Sequence, residues 1–336
     1  MAGGSKVAVY SAIGANTLVM FAKFAGFFFT GSGTMLAEGI HSMADVGNQA
    51  LLIVGMKRSK LPADAEHPFG YGRDAFIWAL MSAVGIFFIG CGVTVAHGVH
   101  GLLSDAPHEV GDPTLNLGIL AFAFVAEGAS LIIAVVGIMK EAKSVGRGFW
   151  DHVRTTDDPF AVAVLLEDSA AVLGVVIAFA CVLLGAITHQ PWWDAVGSLV
   201  IGVLLGAVAI FLTAKNRAML IGRSISKQDQ DALEALLEND PAVEHVVLAR
   251  GEVAGADAYR ISAEIELDGH HLARLWLEGK EPDAVLAEIG DVESMPVFLG
   301  EFADDIVEMV GDEVDRIEGR IREAIPRAQS VDLEPD

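Results

Sequence analysis

Cysteine is scarce in this sequence: Cys91 and Cys181 stand alone in apolar stretches. They cannot make a CxxC pair or a disulfide framework, and both read as packing residues. No GxxxxGK[ST] run is present, which argues against ATP as a direct driver. The absence of GxSxG and HExxH removes the commonest hydrolase and metalloprotease signatures. Basic residues are also few, 22 Lys and Arg against 45 Asp and Glu, for a net charge of −23. From Arg223 to the end, 29 acidic residues face 10 basic ones, a net of −19, so the acidity belongs to the last third. That balance argues against nucleic acid and anionic lipid as partners of that part, whose charge reads as solvated surface.

What the sequence has in abundance is apolar length. Hydrophobic residues make up 53% of the 336 residues and mean hydropathy is +0.48, too apolar for one soluble globule. Six stretches are long enough to span a bilayer: residues 7–29, 34–56, 76–99, 115–139, 160–187 and 193–214. The first carries Asn16 and Lys23 and has no clear small-x-small cleavage site, so it reads as a retained helix rather than a secretory signal. Lys57, Arg58, Lys60 and Arg73 flank the second connection, and Lys140, Lys143, Arg147 and Arg154 mark the fourth. The first, third and fifth connections carry no Lys or Arg, which predicts cytoplasmic termini. The expected fold is an α-helical membrane protein, a six-helix bundle over residues 1–221 followed by a small acidic cytosolic α+β domain over 222–336. In that domain the pattern predicts a helix over 227–237, strands over 243–250 and 259–267, and helices over 283–289 and 302–324.

Ionisable residues at bilayer depth are costly and face a bundle interior or a pathway. His41 and Asp45, four residues apart on the second span, project from one helix face. The fifth span carries Glu167 and Asp168 in a run of Ala, Val and Leu with no Lys or Arg. Buried carboxylates of that kind call for a cation or a proton. His41, Asp45 and Asp168 together offer one nitrogen and two carboxylates, a set suited to Zn²⁺ and tolerable for Fe²⁺, Co²⁺ or Mn²⁺, with too few oxygens for Ca²⁺. Protons compete for the same lone pairs. Glu38 and Asn48 extend the helix stripe on either side and read as interhelical hydrogen-bonding groups. At the outer end of the third span, His97, His100, His108 and Glu109 are either solvated or part of a release vestibule. The histidines of the acidic domain, His245, His270 and His271, show no spacing that fixes a metal ligand set.

The segment Met35-Leu-Ala-Glu-Gly-Ile-His-Ser-Met-Ala-Asp-Val-Gly-Asn48, followed by His67-Pro-Phe-Gly-Tyr-Gly-Arg73, resembles the cation diffusion facilitators. The runs Leu165-Leu-Glu-Asp-Ser-Ala-Ala171 and Leu220-Ile-Gly-Arg-Ser-Ile225 are most similar to the branch of the animal mitochondrial zinc transporter nine. The resemblance implies a homodimer that exports a divalent metal against protons by alternating access, with zinc as transported substrate. It also implies two ligands four apart on each of helices 2 and 5. Helix 2 matches at His41 and Asp45; on helix 5 Asp168 takes the second position and Val164 stands where the first ligand belongs. Either Glu167 supplies the fourth ligand, or Asn48 or water completes the shell. The family often has a further metal site in the loop after helix 2, to which Asp64, Glu66 and His67 would contribute, with Tyr71 at a position where histidine is common. The competing expectations are an iron or manganese exporter of the same family, a passive divalent cation channel, and a membrane-anchored metal sensor.

Overall fold

A computed structural model describes residues 2–30, 33–103, 113–188, 190 and 192–336, with the side chains of 2–4, 30, 33–38, 40, 41, 113–116 and 186 excepted. The chain divides into two compact units, Met1–Ile221 with Gly255–Asp257, and Gly222–Ala254 with Ala258–Asp336.

The first unit is built from long helices: α1 (Ala2–Thr30), α2 (Gly33–Arg58), a third rod of α3 (Asp74–Gly85), a π-helical segment (Ile86–Val93) and α4 (Thr94–Leu103), then α5 (Pro113–Ser144), α7 (Pro159–Thr188) and α8 (Trp192–Ile221). The short α6 (Phe149–Thr155) lies in the connection between α5 and α7. Proline stands first in α5 and α7, where its missing N–H is not needed. Gly146 takes φ 67°, a left-handed backbone that ends α5. Among the described residues five stretches are long and apolar enough to cross a membrane: Ser5–Phe29, Asp74–Leu103, Leu117–Ser144, Pro159–Gly185 and Trp192–Ile221. The expected spans fall inside these helices and α2, and the third differs in detail. Its hydrogen bonding widens to the π pattern over a run containing Gly90 and Gly92, a departure that hydropathy does not register.

The helices close a ring. α1 packs on α2 and α5, α5 on α7, α7 on α8, α8 on α3 and α4, and α3 on α2. Small residues set the tightest approaches. A Cβ on Gly202 would meet the Val95 side chain at 2.6 Å, and one on Gly98 would meet Leu199 at 2.8 Å, so α4 and α8 come close only because both positions are glycine. Cys91 packs against Gly206 and Cys181 against Gly197. An apolar core including Val9, Ala12, Leu52, Ala79, Phe160, Val162 and Leu212 fills the end of the ring where α1 begins and α8 ends.

The second unit holds α9 (Lys227–Glu238), β1 (Val243–Gly255), β2 (Ala258–Leu267), α10 (Gly269–Leu277), α11 (Pro282–Ile289), α12 (Met295–Ala324) and β3 (Ala328–Pro335). The sheet order is β1-β2-β3, with β2 and β3 parallel and Ile261 opposite Val331. Ile317 and Ile321 of α12 are buried in its core with Leu233, Leu237, Ile261 and Ile265. Strand β1 runs five residues past its expected end, α12 starts seven residues early, and α10 and β3 were not expected at all. Asp268 caps α10 by accepting from the His270 and His271 amides at 2.8 and 3.1 Å. Asp240, whose side chain is fully buried, holds α12 through paired hydrogen bonds from Arg316 at 2.6 and 3.0 Å and a further one from Arg320. Burial opposes its charge, but the Arg316 hydrogen bonds, the Ala242 amide and both guanidinium charges outweigh that and hold the carboxyl below the usual range.

Candidate metal centre

A cavity of about 270 Å³ lies at the middle of the helix ring and takes lining residues from all six rods. At its depth stand Asp45 and Asn48 of α2, Glu127 of α5, and Glu167 and Asp168 of α7. At the end opposite the start of α1 and the end of α8 stand His97 of α4 and Asp194 of α8, each about half exposed, with His97 Nε2 3.9 Å from Asp194 Oδ2. Helical geometry explains the convergence, since each helix turns its few polar groups inward from an otherwise apolar run.

The two adjacent acids of α7 diverge by the helix rotation of about 100° per residue and find different partners. Ser130 Oγ of α5 donates to Asp168 Oδ2 at 2.6 Å, with both residues buried. Ser82 Oγ of α3 donates to Glu167 Oε1 at 3.2 Å. Val164, one turn before Asp168, is wholly buried in the apolar core and does not line the cavity. Asn48 reaches the cavity because position 85 is glycine: a Cβ there would lie 2.6 Å from Asn48 Oδ1. One turn beyond Asp45, Gln49 is fully buried with neither end of its amide hydrogen-bonded. His41 lies in α2, four residues before Asp45, but its side chain and that of Glu38 are outside the described residues, as are His108 and Glu109. Among the described residues no group of three or more His, Cys, Asp and Glu side chains is gathered for a metal.

The loop after α2 uses its acid structurally. Asp64 Oδ1 accepts from the Glu66 and His67 amides at 3.0 and 2.7 Å, and Oδ2 accepts from Tyr71 Oη at 2.7 Å. The Tyr71 hydroxyl, then the His67 amide, hold the Asp64 carboxyl below its ordinary range. The His67 ring lies against Tyr71 with centroids 4.2 Å apart. At the other end of the α5–α7 connection, His152 is buried with neither ring nitrogen hydrogen-bonded, and Glu141 Oε2 is 3.6 Å from Nε2. Burial, followed by the charges of Arg147 and Lys215, pushes the His152 imidazole down.

Among the polar residues that line the cavity, Asn16, Lys23, Glu127, Asp194 and Ser198 escaped the sequence reading as site residues, as did Ser82 and Ser130, which hydrogen-bond to Glu167 and Asp168. The available signal was helical spacing. Asn16 and Lys23 lie seven apart on α1, and Glu127 and Ser130 three apart on α5, each pair on one face.

Residues 9–221 match the family model of the cation efflux transmembrane domain. Over 338 residues the chain is 38% identical to metal tolerance protein C4 of Arabidopsis thaliana, covering 98% of this chain and 73% of that protein. It is 40% identical over 335 residues to the mitochondrial proton-coupled zinc antiporter SLC30A9 of Homo sapiens, covering 99% of this chain but only 58% of the human protein. A more distant likeness, 24% over 268 residues, joins it to the cation-efflux pump FieF of Shewanella oneidensis, covering 79% of this chain and 83% of the pump. Two of the three bear transport names, and none bears the name of an enzyme. The chain belongs to the cation efflux family, the cation diffusion facilitators, on the branch of the animal zinc transporter nine.

Proposed function

We propose that this protein is a proton-coupled zinc antiporter that exports the ion from the cytosol by alternating access, as a homodimer with both termini cytoplasmic. The observation that carries the reading is the central cavity, which takes Asp45 from α2 and Glu167 and Asp168 from α7 into one lining. His41 and Asp45 would bind the metal from α2 and Asp168 from α7, with Glu167 or Asn48 completing the shell and Ser130 orienting Asp168. The metal takes neutral imidazole and ionised carboxylates, so each binding event expels protons and each release takes them up. One mouth of the cavity is bordered by exposed His97 and Asp194, while apolar packing fills the opposite end, the arrangement of one limb of an alternating cycle. With cytoplasmic termini, that open mouth faces outward. Likeness to a relative named as a proton-coupled zinc antiporter favours zinc over iron or manganese. A further metal site in the loop after α2, using Asp64 and His67, would require Asp64 to give up its bond to Tyr71. The test is zinc uptake into proteoliposomes. Asp45→Ala reconstitutes normally and loses uptake; a variant that still moves zinc at the parent rate removes α2 from the site.

A further inference from the structure

Lys23 of α1 is 6% exposed and lines the central cavity, and it is the only Lys or Arg among the described lining residues. The ionisable groups that share this cavity are Asp45 of α2, His97 of α4, Glu127 of α5, Glu167 and Asp168 of α7, and Asp194 of α8. Helix α1 packs against α2, α5 and α7, the three helices that supply the deep carboxylates. Its level in the ring follows from packing. Gly39 of α2 seats on the Phe24 ring, at 3.1 Å from a Cβ built there, so Lys23 lies near the level of Gly39. Asp45 is six residues further along α2 toward the apolar plug, about 9 Å of helical rise. Lys23 therefore stands on the side of Asp45 toward the mouth marked by His97 and Asp194, on a flexible four-carbon stem.

An ammonium held inside an apolar ring is costly and persists where negative charge faces it. We propose that Lys23 is a tethered counter-cation: in the metal-free carrier its ammonium neutralises part of the cavity's acidic wall, and an incoming divalent metal must displace it. It is a positioning and affinity-setting residue, not a ligand. Its charge weakens metal binding, which speeds release through the mouth, and it balances the empty cavity without an additional proton. This inference rests on the metal-transport reading.

The experiment measures equilibrium zinc binding to the purified full chain and zinc flux in proteoliposomes for the parent, Lys23→Met and Lys23→Arg. Lys23→Met is expected to bind zinc at least tenfold more tightly and to turn over more slowly, while Lys23→Arg stays near the parent in both. A gain of affinity is a readout that a merely structural role would not produce. Should Lys23→Met fail to fold, Lys23→Gln makes the same test, since the cavity already accommodates the amide of Asn16. Unchanged or weaker zinc binding in a folded neutral variant, with the parent active, overturns the counter-cation alone. A parent that neither binds nor moves zinc overturns the transport reading together with it.

Discussion

The hydroxyl of Ser130 is the most exposed point of the proposed chemistry to a single-atom test. It donates to Asp168 Oδ2 at 2.6 Å, and Ser130 and Asp168 are 2% and 3% exposed, so the bond is shielded from bulk solvent. A hydrogen bond to a charged group is worth about 1.5–3 kcal/mol, and about 1.4 kcal/mol is tenfold in an equilibrium constant. Ser130→Ala leaves a buried carboxylate oxygen unpaired, so a proton competes better with metal for Asp168 and the orientation of the free oxygen is lost. The expected loss in zinc affinity is about 10- to 100-fold, larger at pH 6 than at pH 7.5 because protons are the competitor. Titration calorimetry on the detergent-solubilised protein at both pH values reads this directly, with Ser130→Thr as the variant that retains the hydroxyl. Zinc affinity within twofold of the parent at both pH values would refute the placement of Asp168 in the metal shell.

Gly85→Ala forces a Cβ to 2.6 Å from Asn48 Oδ1 and should lower thermal stability by about 1–3 kcal/mol, and adding Asn48→Ser should recover most of it in a double-mutant cycle. Asp240→Asn removes a fully buried acid from two arginines that remain partly exposed, so the cost is about 1–3 kcal/mol, seen as faster hydrogen exchange along α12 in the full chain. Because the folded carboxyl of Asp240 lies below its unfolded value, this stabilisation is complete above about pH 4 and is lost as pH falls through the lower folded value, so variant and parent should converge in acid. For His152 the folded imidazole lies below the unfolded value of about 6.5, so the folded state binds fewer protons and stability falls as pH drops below that value. His152→Phe should flatten the decline of melting temperature between pH 7.5 and 5.5, and an unchanged slope would remove His152 as its source.

Much of the fold was legible because a run of some 20 apolar residues has few alternatives to a membrane helix. The same logic exposed Glu167 and Asp168, since charge in such a run is conspicuous. Less visible were groups whose meaning depends on which helices become neighbours. Lys23 and Asn16 argued only against a signal peptide until the ring brought α1 beside α2, α5 and α7. Ser82 and Ser130 are common, small and nearly neutral in hydropathy, so nothing local distinguishes them from lipid-facing serines. In the second unit, β3 was overlooked although Val331 and Leu333 alternate with Asp332 and Glu334; its pairing with β2 comes from residues far away in sequence. Helix α10 is only nine residues long, and a single capping acid, Asp268, is a weak signal for so short an element.

The central claim is that metal and protons move in opposite directions through one acidic cavity. Its most direct test is simultaneous recording of zinc and proton flux in proteoliposomes holding the parent, Asp168→Asn or Glu167→Gln. The account predicts that an imposed proton gradient drives zinc uphill in the parent and that Asp168→Asn abolishes both fluxes. Zinc that only runs downhill, with no proton movement and no loss in Asp168→Asn, would contradict it and make the cavity a passive pore.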